Sequence, residues 1–95
     1  MEVEELAPGL WRWSAALGEE EVWCLYVETP TATVLVDPLL PDERERFFRA
    51  LDRDLERRGL PLAIVCTRPE STPAADELSA RYGAAVFALP PGPPR

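Results

Sequence analysis

The stretch Thr33-Val34-Leu35-Val36-Asp37-Pro38-Leu39-Leu40-Pro41 (TVLVDPLLP) separates two kinds of pattern in the chain. TVLVD reads as a strand: a short β-branched and aliphatic run closed by Asp-Pro, a turn pair. Pro38 to Pro41 is a stiff connector, because two prolines in four residues forbid a regular ladder through it. Before this nonapeptide the apolar residues recur as they do in strands. After it they recur as alternating helices and strands, so the fold turns from a meander into crossovers here.

Toward the N-terminus, Glu21 to Glu28 (EVWCLYVE) is the strongest strand, rich in β-branched and aromatic residues. Leu10 to Leu17 is a second, with Trp11 and Trp13 on one side. Residues 2–6 make a shorter alternating strand. Pro8-Gly9, Gly18-Glu19-Glu20 and Thr29-Pro30-Thr31 punctuate these runs as turns. Four antiparallel strands are expected, the last being TVLVD.

Toward the C-terminus, the spacing predicts a helix over Pro41–Arg58, with Pro41 at its first position and Asp42 and Glu43 at its positive end. Phe48, Leu51 and Leu55 form its apolar stripe, with Phe47 beside it, and Gly59 stops it. Asp42–Arg46, Glu45–Arg49 and Asp54–Arg58 are candidate i,i+4 ion pairs, each worth about 0.3 kcal/mol. Leu62 to Thr67 is a buried strand. Thr72 is placed to cap the next helix with Pro73 at its first position, Ala74, Leu78 and Tyr82 on one face, Glu77–Arg81 as a surface pair and Gly83 at the end. Ala84 to Leu89 is the last strand, and residues 90–95 (PPGPPR) form a loose tail.

The fold class is therefore α+β, with an α/β half. A mixed sheet combines an antiparallel N-terminal meander with a parallel β-α-β-α-β end, and crossovers of one hand place two helices on one face. Residues 1–89 make one domain. In EVWCLYVE, Val22, Cys24 and Tyr26 point one way and Trp23, Leu25 and Val27 the other, so both faces of the sheet are apolar. Two helices cover only one of them. The second face is left without a cover, which is the mark of an interface.

Composition excludes several functions. A net charge of −7 opposes binding to nucleic acid or to an anionic membrane. No apolar run reaches the length of a membrane span, and the acidic start lacks the pattern of a signal peptide, so a cytoplasmic protein is expected. All ten basic residues are Arg, and His, Lys, Asn and Gln do not occur. Imidazole acid–base chemistry and a Ser-His-Asp or Cys-His arrangement are thus beyond the chain itself. Cys24 and Cys66 lie within apolar runs and read as buried thiols.

The order of these elements carries a resemblance. VEELAPGLWRW, a meander, TVLVDPLLP, a helix and AIVCT together resemble the N-terminal half of a metallo-β-lactamase-like hydrolase, over roughly residues 3–89. The resemblance implies one half of an αββα sandwich, and it would explain the bare face as the surface that meets the other half. Members of that family follow the strand matching AIVCT with a His-x-His-x-Asp-His loop that holds zinc or another metal. Laid on this sequence without gaps, those ligand positions fall on Arg68, Glu70, Thr72 and Pro73. A register shifted by one puts Ser71 at a ligand position, and no register recovers a histidine. Zinc wants imidazole, thiolate or carboxylate, so no metal cofactor is expected. The chain reaches PPGPPR where members of that family continue into a second half, so a truncated domain with a degenerate site is expected.

Asp37, at the end of its strand, matches a carboxylate that supports the metal loop in that family. Asp37, Thr67 and Ser71 are candidate ligand-binding or supporting residues at the crevice, and Glu70, Ser71 and Thr72 stand at a helix start, where amides favour anions. The expected function is a non-catalytic, metal-free protein that acts through its uncovered sheet face, as a homodimer or with a protein partner. Two alternatives stand: a metal-dependent hydrolase subunit completed by a partner chain, and a binding module for a small anionic ligand.

Overall fold

The structure is a computed structural model that describes residues 1–88. Leu89 and the tail 90–95 lie outside the described residues. Six strands form one sheet in sequence order: β1 (Val3–Ala7), β2 (Leu10–Leu17), β3 (Glu20–Glu28), β4 (Thr33–Val36), β5 (Leu62–Cys66) and β6 (Ala85–Ala88). β1 to β4 pair antiparallel, and β4, β5 and β6 pair parallel. The two parallel crossovers run through α1 (Arg44–Arg58) and α2 (Thr72–Tyr82). The meander and the β-α-β-α-β end meet at TVLVDPLLP, as its sequence predicts.

Both helices pack on one face. The core gathers Trp13, Ala15, Cys24, Tyr26, Leu35, Ile64 and Cys66 from the sheet with Phe47, Phe48 and Leu51 from α1 and Ala75 and Leu78 from α2. Trp13, Phe47 and Phe48 form an aromatic chain with ring centroids 5.3 and 5.4 Å apart. α2 lies close against β5 and β6, whereas α1 reaches the sheet mainly through these side chains. Both thiols are buried and unpaired.

Three local expectations are corrected. α1 begins at Arg44 rather than Pro41. The buried indole N–H of Trp13 donates to the Leu39 carbonyl at 3.1 Å, and Pro41 is buried, so the connector is held against the core through Pro41 and bends only at Asp42. The first helical bond runs from Phe47 N–H to the Glu43 carbonyl. Second, Thr72 is inside α2 rather than its cap: a 3-10 turn over Pro69–Ser71 leads in, and Ser71 is the N-cap without a side-chain bond. Third, none of the expected i,i+4 pairs forms among the described residues. The guanidinium groups reach across elements instead, Arg44 to Glu77, Arg81 to Asp52 and Arg57 to Glu28. Gly59 and Gly83 end the helices in the left-handed conformation, as read from their positions.

The opposite face carries two apolar rows that cross the strands. Leu25, Val36, Val65 and Phe87 are successive register partners in one; Val27, Val34, Ala63 and Ala85 are in the other. Phe87 is 60% exposed and Trp23 38%, while Leu25, Val27, Val34, Val36 and Val65 are half-buried by their own neighbours. No described helix lies over these rows.

Candidate functional site

The loop at the carboxyl ends of β4 and β5 is where the sequence places its candidate residues. β4 ends at Val36, and Asp37 adopts φ +48. This left-handed conformation is tolerated best by Gly, Asn and Asp. Its N–H donates to the Val65 carbonyl at 2.8 Å, which fixes it beside β5. Its carboxylate accepts the Thr67 N–H at 2.5 Å with one oxygen and the Thr67 hydroxyl with the other. Asp37 and Thr67 are therefore brought together, as a clasp between two parallel strand ends.

The other candidates are not gathered around that clasp. Arg68 has extended backbone, and its Nε is buried with no partner. Glu70 is exposed within the 3-10 turn; Thr72 and Pro73 are exposed in the first turn of α2. Ser71 is fully buried, and its hydroxyl also lacks a partner.

These residues do not fit a metal. Arg68 is a permanent cation and Pro73 has no ligating atom. Both Asp37 oxygens are engaged by Thr67. The Cys66 thiol is pushed above its ordinary range by burial and then by the Asp37 and Asp76 carboxylates, which keeps it protonated. Among the described residues no three Cys, Asp or Glu side chains converge as a metal would require. The strand order also runs in sequence without reversal, so the described sheet has no switch point at which an α/β crevice would open.

A concavity opens elsewhere. It lies on the helix side, between α1 and strands β1 to β3, with a volume of about 500 Å³. Trp11, Trp13, Tyr26 and Phe47 form its walls, and Glu28, Asp54 and Arg57 stand among the residues that line it. Tyr26 donates its hydroxyl to Glu28 Oε2 at 2.7 Å, and Arg57 donates to the same oxygen at 2.5 Å. Those two bonds, the tyrosine hydroxyl first, hold the Glu28 carboxyl below the usual carboxylate range. Burial and the bond to Glu28 push the Tyr26 phenol upward. Of these residues the sequence placed only Trp11 and Trp13 together, on one side of their strand. The signal for the rest was the register: Trp11 pairs with Tyr26 across β2 and β3, which places both rings on the helix face.

A scan against protein-family models and a search of curated proteins both find no match to this chain.

Proposed function

We propose that the chain is a non-catalytic, metal-free interaction module resembling half of a metallo-β-lactamase-like sandwich, and that it acts by pairing its uncovered sheet face with a second copy of itself. The observation that carries this reading is the pair of apolar rows on the face opposite the helices. The four strands β3 to β6, taken over about five residues each, give roughly 300 Å² of flat surface. That is as large as the apolar patches monomers ordinarily expose.

Charge favours a second copy over an unlike partner. The chain carries −7, yet residues 23, 25, 27, 34, 36, 63, 65 and 87 of this face are all uncharged. Toward β1 and β2 the same face carries Arg12, register partner of Leu25, whose guanidinium stacks over the Trp23 ring at 4.0 Å and bonds to Glu4, and Glu21 lies two residues before Trp23. Two acidic copies can thus meet over the rows of β3 to β6, with Glu4 and Glu21 outside those rows. A two-fold pairing would stack sheet on sheet at about 10 Å with helices outside.

Light scattering on the untagged chain tests this from micromolar to millimolar concentration. A mass near twice 10.6 kDa is expected. Val34→Lys, in the middle of the second row, should return the monomer with its circular dichroism unchanged. A wild-type monomer throughout that range would overturn the reading.

A second reading, a small anion at the loop, draws on the Arg68 Nε and the Ser71 hydroxyl, two buried donors without partners beside the start of α2. A rise in melting temperature with phosphate that Arg68→Ala abolishes would support it; an unchanged melting temperature would remove it.

A further inference from the structure

The cleft between α1 and the β1–β2 hairpin is distinct from the uncovered face and lies on the other side of the sheet. One side of it is set by the helix sequence. Phe47, Ala50, Asp54 and Arg57 follow one another at spacings of three and four along the side of α1 that borders it. Phe47 fills one end, while Ala50, exposed at the border, contributes only a methyl group to the lining.

Two of the three polar atoms on the rings of the walls are already engaged. The Trp13 indole N–H is bound to the Leu39 carbonyl, and the Tyr26 hydroxyl to Glu28. What these rings offer a ligand is their faces, which carry the negative side of the aromatic quadrupole. The charge around them has the same sign. Glu5, Glu28 and Asp54 line the cleft against a single lining guanidinium, Arg57, which is itself bound to Glu28 and Asp54. Arg58 stands 3.8 Å from Glu28 but gives its donors to Thr29, Ala32 and Thr33. The amine of Met1, which also borders the cleft, is paired with Glu43.

We propose that this cleft binds a small organic cation with an apolar body, a tertiary or quaternary ammonium compound, with its head over the Trp11 and Tyr26 rings and its charge answered by Glu5, Glu28 and Asp54. A volume of about 500 Å³ falls within the range of small-ligand sites. A neutral ligand would gain burial only, and an anion would meet three carboxylates. A cation gains burial, the ring faces and the carboxylates together.

The test is to titrate phenyltrimethylammonium, its uncharged carbon isostere tert-butylbenzene and benzoate into the full chain, following the indole N–H resonances by nuclear magnetic resonance. The cation is expected to bind about 5- to 10-fold more tightly than the isostere, the ring faces and the carboxylates acting together, and to move the Trp11 resonance. Glu28→Gln with Asp54→Asn should bring cation and isostere to within about twofold, since the carboxylates supply part of that preference. Should that variant fail to fold, Glu5→Gln on the exposed edge strand should narrow the difference in the same direction. Equal binding of cation and isostere, a preference for benzoate, or a Trp11 resonance that does not move at saturating cation would each overturn the proposal.

Discussion

Asp37 combines two facts that can be separated by substitution. Its backbone is left-handed, at φ +48, and its carboxylate takes both donors of Thr67. A hydrogen bond to a charged group is worth about 1.5–3 kcal/mol, less where water competes, and left-handed backbone costs an ordinary residue about 1 kcal/mol. Asp37→Ala loses the bonds and keeps the strain, so it should destabilise by about 2 kcal/mol. Asp37→Gly loses the bonds but relieves the strain and should cost about 1 kcal/mol less than Ala. Asp37→Asn keeps an acceptor and tolerates the conformation, so it should be the mildest of the three. Urea unfolding followed by tryptophan fluorescence ranks them. Equal losses for Ala and Gly would show that the backbone carries no strain. If Asn were as damaging as Ala, the second carboxylate oxygen and its charge would be the essential feature. This residue is also where a functional reading and a structural one meet: the clasp joins β4 to β5, and that role accounts for every contact the carboxylate makes.

At the scale of elements, α1 connects β4 to β5 and is held to the core by a few side chains, Phe47, Phe48 and Leu51, so its attachment can be tested residue by residue. Phe47 is 7% exposed and lies between the rings of Trp13 and Phe48. Phe47→Ala should cost about 3–5 kcal/mol, a large part of what a domain of this size has to lose. Leu55→Ala, half-buried near the end of the same helix, should cost about half as much. Denaturant midpoints at constant slope measure both, and a loss at Phe47 no larger than at Leu55 would mean that the ring stack does not anchor the helix. The same helix shows what was legible in the sequence. Its apolar stripe, its C-terminal glycine and the strands on either side follow from periodicity and turn residues, which are local signals. Its start was not legible, because Trp13, 26 positions away from Leu39, holds the connector against the core. The expected Glu77–Arg81 pair failed for the same reason, since Glu77 meets Arg44 and Arg81 meets Asp52 only once the chain has folded. The loop candidates Asp37 and Thr67 were readable as strand-end residues. The cleft was not, since it depends on a register that places two rings on the helix face.

The composition of the whole molecule makes an unusual statement about pH. With no His and no Lys, the side chains offer nothing that titrates ordinarily between the carboxylates and the thiols. Stability should therefore be nearly level from about pH 6 to about pH 7, a window that histidine usually gives a slope and that lies below the ordinary range of a terminal amine. The two limbs outside it have opposite signs. On the acid side, the Glu28 carboxyl is lowered by the Tyr26 hydroxyl and then by Arg57, so its contribution is present above the unfolded carboxyl value and is lost as pH falls through the lower folded one. On the alkaline side, burial raises the Cys24 thiol, and burial with the bond to Asp52 pushes Tyr82 up to about 12. These acids are held protonated more firmly by the folded chain than by the unfolded one. Their contribution is complete below the unfolded values and declines as pH rises past about 9 for thiols and about 10 for phenols. Urea unfolding across pH, at one protein concentration so that any pairing of copies stays constant, should trace a plateau with a fall on each side. Tyr82→Phe should flatten the part of the alkaline fall between about pH 10 and pH 12, because it removes the titrating group while leaving the ring against Phe48. An inflection inside the plateau would contradict this account, since no side chain of ordinary titration is present to cause it.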